Sequence, residues 1–260
     1  MTDLAEYRAG AIDLLGVIAC GQLTAFGRLA DDARLAPSLA DKVELSGMAA
    51  DQFERFRRVS GRISELGAEA MAAMTPFHSA FDSFHEHTAP NTWLEGLIKA
   101  YVGDGIAADF YREVAAFVDP QTRELVIQVL TDAGHTDFLV ERVRTAVEES
   151  PHVAGRLALW GRRLVGEALS QAQLVATDRK ALSSLLTGTI DRPGMDLAAV
   201  SRLFSRLAEN HTERMRRSAC RREPNSPWHR RVVLLDAPHV RWPLSWCARG
   251  SRPGRQHGAR

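Results

Sequence analysis

The chain has 260 residues and a formal net charge of +1, with 45% apolar and 25% charged residues. That balance excludes a globally disordered chain, and no uninterrupted run of about 18 apolar residues marks a membrane span, so no membrane partner is expected. The start, MTDLAEYRAG, lacks a basic-then-apolar leader, and Cys20, Cys220 and Cys247 form no CxxC pair, so the expected setting is the cytoplasm.

Apolar residues three and four apart predict helices along most of the chain. The first spans 3–33, with the stripe Leu15, Ile18, Gln22, Phe26 and Leu29, and the second spans 38–66, with Leu45, Met48, Gln52, Phe56 and Val59. Residues 67–90, holding Pro76, Pro90 and the aromatics Phe77, Phe81 and Phe84, read as a long crossover with one short helix, Thr75-Pro76 being its start signal. A capping box, Thr92 with Glu95, opens the third long helix at 92–118, with the stripe Leu97, Tyr101, Asp104, Ala108 and Tyr111. Asp119-Pro120 opens the fourth at 120–149, with Leu125, Gln128, Asp132, His135 and Leu139. Ser150-Pro151 opens a fifth at 151–187, and Arg192-Pro193-Gly194 separates it from a sixth at 196–217.

Charge divides the chain near its end. Residues 1–220 carry 24 Lys and Arg against 30 Asp and Glu, whereas 221–260 carry nine Arg against Glu223 and Asp236. The expected domains are therefore a helical body, 1–217, and a basic tail, 218–260, rich in Arg, Pro and Trp and without a packed core. The tail reads as a shifted reading frame, the alternative being a basic arm for nucleic acid.

Each of the four stripes carries a polar residue near its middle. Burying a carboxylate alone costs several kcal/mol, so four such positions in register call for compensation. The spacing repeats: Gln22 to Gln52 is 30 residues and Asp104 to Asp132 is 28. The second helix of each pair offers a further residue three positions on, Arg55 and His135 respectively.

Four helices, a long second-to-third crossover, and a carboxylate then carboxylate-x-x-His pattern resemble the ferritin-like di-iron carboxylate proteins. The stretches YVGDGIAADFYREVA, VLTDAGHTDF and LALWGRRLVGEALSQAQ resemble an actinobacterial branch related to the tRNA hydroxylase acting on methylthio-isopentenyladenosine. The resemblance covers roughly residues 5–217. It implies an all-α, ferritin-like four-helix bundle with two additional C-terminal helices, and an ancestral oxygen-activating di-iron site. Its pattern asks for acids at Gln22 and Gln52 and for histidine at Arg55, so the first half keeps no charged ligand there. Asp104, Asp132 and His135 remain as candidate metal ligands, and Gln22, Gln52 and Arg55 are degenerate positions.

Each position also has a plainer reading. His135 is either a ligand or a core histidine bonded to a neighbour. Gln22 and Gln52 read as polar core residues before they read as ligands. Arg55 either faces the site or is exposed beside Arg57 and Arg58. Asp109 rivals Asp104 but lies off the stripe, and His78, His85 and His87 read as solvated. Glu167 on the fifth helix reads as a boundary acid. The expectation is a non-catalytic protein with no cofactor or one weakly held iron, able to form a homodimer. The alternative is a non-haem iron oxygenase resembling the tRNA-modifying hydroxylase, with tRNA as partner.

Overall fold

The structure is a computed structural model, and it describes residues 3–131, 135–188 and 194–219. The described residues form nine helices and no strand: α1 (Asp3–Arg34), α2 (Leu39–Glu65), α3 (Ala70–His87), α4 (Trp93–Ala115), α5 (Pro120–Val129), α6 (His135–Glu149), α7 (His152–Asp178), α8 (Lys180–Thr187) and α9 (Leu197–Ala219). They all fall within one unit spanning 1–221. Of the expected tail, 218–260, Ser218 and Ala219 belong to α9, and residues 220–260 lie outside the described residues, as does Asp132.

Capping side chains set several helix starts. Ser38 Oγ accepts from the Asp41 amide at 3.1 Å, and Asp119 accepts from the Thr122 amide at 3.0 Å with Pro120 in the first turn. Thr92 caps α4 by accepting from the Glu95 amide, and the Glu95 carboxylate reaches back to the amide of Asn91 at 2.7 Å.

Four boundaries differ from the expectation. The crossover helix α3 is 18 residues long, starts at a Glu69 cap, and carries Pro76 inside it, so Thr75-Pro76 is not its start. Thr75 Oγ1 donates to the Met71 carbonyl one turn back, as a helix-interior threonine does. The predicted fourth helix is divided into α5 and α6, and the fifth into α7 and α8. Ser150 does not cap α7: Pro151 holds the cap position, and Ser150 Oγ bonds His152 instead. The body thus ends in three helices where two were expected.

The break at Arg179 has a tertiary cause. Its guanidinium bonds the carboxylate of Asp13, whose side chain is 4% exposed on α1, and stacks 5.7 Å from the Phe77 ring. The chain turns there to satisfy a buried acid.

Helix α1 is central, packing against α2, α3, α8 and α4. It runs antiparallel to α4: Gly21 lies by Tyr111 and Asp32 lies by Gly96. Averaged over 18 residues its mean hydropathy reaches 1.6, so by length and composition α1 is apolar enough to cross a membrane, although it contains no unbroken apolar run. In the bundle 61% of that window is buried by its neighbours.

The core has two parts. One gathers Leu14, Ile18, Ile63, Phe77, Val114 and Leu185, and the other gathers Leu29, Leu45, Leu97, Tyr101, Trp160 and Leu164. Along α1, Gln22 falls between Ile18 of the first and Leu29 of the second. Along α2, Gln52 falls between Met48 of the second and Val59 of the first. A polar layer therefore separates two apolar clusters, and a cavity opens there.

Candidate functional site

A cavity of about 720 Å³ runs through the bundle, and Gln22, Gln52, Arg55, Asp104 and His135 all line it. The sequence positions thus converge on one space, with Asp132 outside the described residues.

The two amides are buried: Gln22 is 8% exposed and Gln52 5%. Gln52 Nε2 donates to Asp104 Oδ2 at 2.9 Å. The Oε1 atoms of both glutamines are buried without a hydrogen-bond partner among the described residues. Tyr101 Oη, on the same cavity wall, is in the same condition, and burial raises the Tyr101 pKa. An unmet buried acceptor costs about 1–3 kcal/mol, so these atoms mark a place fitted to an occupant or to water.

Asp104 is not the interior carboxylate that the stripe predicts: its residue surface is exposed, although it lines the cavity. The more enclosed acid is its rival Asp109, 14% exposed, which bonds Arg214 and takes a 2.9 Å bond from Asn210, both on α9. The apolar stripe on α4 could not show this, because α9 arrives from more than a hundred residues away. Arg214 also lies against Gly105.

His135 is half-buried, and its Nε2 lies 2.7 Å from Asp51 Oδ2. Asp51, adjacent to Gln52, was missed because it falls beside the α2 stripe. Arg55 is half-buried while Arg57 and Arg58 are exposed, and its Nη2 donates to the Thr131 carbonyl at 3.0 Å. Gln128 does not continue the interior stripe. It is exposed and bonds Arg58 and Glu124, while Thr122, Val126 and Val129 are the buried residues of α5.

A second group lines the same cavity: Arg28 and Asp32 on α1, His85 on α3, and Lys99 on α4. Burial, the largest cause, pushes the Asp32 carboxyl up to about 6, against the opposing charge of Lys99. Burial, then Lys99 and Arg28, pushes His85 down to about 3. His85 is thus not a solvated crossover histidine, whereas His78 and His87 are exposed and pair with Asp82 and Glu167. Glu167 also takes a bond from Gln171 at 2.8 Å.

Two neutral amides and a guanidinium occupy half of the positions, and a guanidinium has no lone pair to give. Among the described residues, no three of His, Cys, Asp and Glu come together as a metal-holding group.

A family profile described as "Ferritin-like domain, actinomycetes" matches residues 5–189. The chain belongs to that family, and its all-helical fold is ferritin-like. No curated protein matches the sequence. One similar solved structure is titled protein 19 with aldehyde deformylating oxidase activity from Synechococcus. It has a TM-score of 0.66 and 20% identity, over 88% of this chain and 97% of that one. At that identity the likeness speaks to the fold.

Proposed function

We propose that this member of the actinomycete ferritin-like family carries a degenerate di-iron site and does not activate oxygen. It holds no metal or one weakly bound ion, and its bundle serves to bind rather than to oxidise. One observation carries the reading: the inward positions on α1 and α2 are Gln22 and Gln52, and the Gln52 amide is already spent on Asp104. Carboxylate charge is what holds two hard iron ions together, and a pair of amides supplies none. Arg55 adds positive charge to the same wall. In this reading the protein works in the cytoplasm, alone or as a homodimer, and the free, buried thiol of Cys20 is consistent with a reducing compartment.

Iron content after anaerobic loading of the full chain with Fe(II) tests it. The expected result is at most one iron per chain, removed by a mild chelator, with no iron-dependent oxygen uptake. Two tightly held irons would overturn the reading. Restoring the acids and the histidine together, as Gln22→Glu, Gln52→Glu and Arg55→His, should raise iron content to two per chain.

The second reading is the non-haem iron oxygenase resembling the tRNA-modifying hydroxylase, with Asp104, Asp132 and His135 as ligands. Its support is that Asp104 and His135 line one cavity. It requires iron in the unmodified protein, so the same loading experiment separates the two.

A further inference from the structure

Lysine is scarce in this sequence: only Lys42, Lys99 and Lys180 among 33 basic residues, the others being Arg. Lys42 and Lys180 are exposed, but Lys99 is only 8% exposed. A buried lysine in an arginine-rich chain calls for a chemical reason. A guanidinium stays protonated, whereas an amine can lose its proton and become a nucleophile.

The surroundings of Lys99 favour that loss. Its Nζ donates to the Thr88 carbonyl at 2.7 Å and sits 5.3 Å from the centre of the Phe84 ring. Burial is the main cause that brings its pKa down to about 8, and the fixed charge of Arg28 adds to it, against Asp32. Relative to an ordinary lysine, such a shift leaves about 300-fold more neutral amine near neutral pH.

A carboxyl group stands on the same stretch of α4. A Cβ on Gly96, one turn before Lys99, would lie 2.6 Å from Asp32 Oδ1, so the missing side chain is what lets Asp32 lie against the helix there. Burial keeps a share of Asp32 protonated near neutrality. Asp31 also lines the cavity, and His85 stays neutral. Along α1 the group begins about two turns beyond Gln22, so it is distinct from the layer of degenerate positions.

We propose that Lys99 reversibly captures a small apolar ketone or aldehyde in the cavity as a Schiff base, with Asp32 as the proton-exchanging group. The Nζ lone pair forms a C–N bond to the carbonyl carbon as the C=O π bond opens. A proton passes from nitrogen to oxygen, giving a carbinolamine. The C–O bond then breaks, and the hydroxyl leaves as water with a proton from the Asp32 carboxyl. The iminium returns a proton to the Asp32 carboxylate. One water is released and nothing is oxidised or reduced.

The probe is 2,4-pentanedione on the full-length protein at pH 7.5. With an amine it loses water to give a conjugated enaminone, stable without a reductant and visible in the near ultraviolet. The expected result is a new near-ultraviolet band, with the mass gain mapped to the Lys99 peptide at least about tenfold faster than to Lys42 or Lys180, consistent with the larger neutral fraction. Lys99→Arg and Lys99→Met should reduce the band to what the N-terminal amine gives, and Asp32→Asn should slow labelling of the Lys99 peptide at least about tenfold while the fold is retained. Peptide mapping of the unmodified protein needs no variant, so a folding defect in any substitution leaves the test intact. Equal labelling of the three lysines, or reaction at Lys42 and Lys180 with Lys99 untouched, would overturn the proposal. Iron content plays no part in this readout, so its failure is distinguishable from failure of the degenerate-site reading.

Discussion

His211 on α9 gives a quantitative test of how the last helix is held. It is 8% exposed, and its Nδ1 is buried without a hydrogen-bond partner among the described residues. Burial, and then the charge of Arg214, lowers its pKa from 6.5 to about 4. In the unfolded chain the imidazole titrates near its ordinary value, so between pH 6.5 and pH 4 the unfolded state binds more protons than the folded one. The stability tied to a neutral His211 is therefore fully present above about pH 6.5 and is lost as pH falls. Between pH 7.5 and pH 4.5 that loss works out to about 2–3 kcal/mol. His211→Leu keeps an apolar side chain and cannot take up a proton. Urea unfolding at the two pH values, with stability taken by linear extrapolation, should show the unmodified protein losing about 2–3 kcal/mol more than the variant. His85, which shifts the same way, and Asp32, which shifts the opposite way, are common to both proteins and cancel in the difference. At pH 7.5 the variant should be no less stable, because an unmet buried nitrogen has been removed. Parallel pH dependences for the two proteins would show that His211 is not titrating from a buried neutral state, and the argument would fail.

Further perturbations probe the packing that holds the site. A Cβ at Gly16 would lie 2.3 Å from the Ala73 carbonyl oxygen, so Gly16→Ala should destabilise by about 1–3 kcal/mol. Gly27, with nothing within 4 Å, should gain up to about 1 kcal/mol as alanine, and changes of the same sign in urea melts would refute the helix contact. Arg179→Met leaves the 4%-exposed Asp13 without its cation and should cost about 3 kcal/mol, the low end for a buried pair because Arg179 is 35% exposed. Adding Asp13→Leu should restore most of that loss, and a single-variant cost under about 0.5 kcal/mol would refute the pairing.

The long helices were legible because their pattern is local. The apolar stripes, with Thr92 and Asp119 as start signals for two of them, place the starts of α1, α2, α4 and α5 within a residue or two, whereas α4 ends at Ala115, three residues before the expected 118. What broke the remaining helices is not local. Arg179 turns the chain toward Asp13, 166 residues earlier, and no window around residue 179 contains that partner. Gln128 was placed inside because a single stripe was drawn from Leu125 to Leu139, across a helix break. Once α5 ends at Val129, its own buried face is Thr122, Val126 and Val129. The site was legible in the same uneven way. Gln22 and Gln52 lie on unbroken stripes and are buried as expected. Asp104 lies on its stripe and is exposed, because the space it faces is open. His85 reads as solvated from its irregular spacing, and Lys99 and Asp32 lie off the stripes, so only their burial shows that the three share the cavity.

The divided core explains how such a site can change while the bundle persists. Two apolar clusters pack on either side of the polar layer, and each ties α1 to other helices without using Gln22 or Gln52. Side chains of the Phe77 or Leu97 kind contribute roughly 1.5–3 kcal/mol each on burial, many times over in each cluster. The layer contributes less by comparison: its polar contacts include Gln52 to Asp104, Arg55 to the Thr131 carbonyl and His135 to Asp51, and two of its amide oxygens lack partners among the described residues. Exchanging a carboxylate for an amide there alters charge and metal affinity but barely touches the packing that fixes the helices. The same reasoning separates the two ends of the cavity. The layer of Gln22 and Gln52 carries little of the packing that holds the helices. Lys99, held by Thr88 and ringed by Phe84, Asp32 and Arg28, sits where burial raises the cost of any charge. The Schiff-base proposal draws on this burial, which leaves the Lys99 amine more readily neutral than an exposed lysine would be.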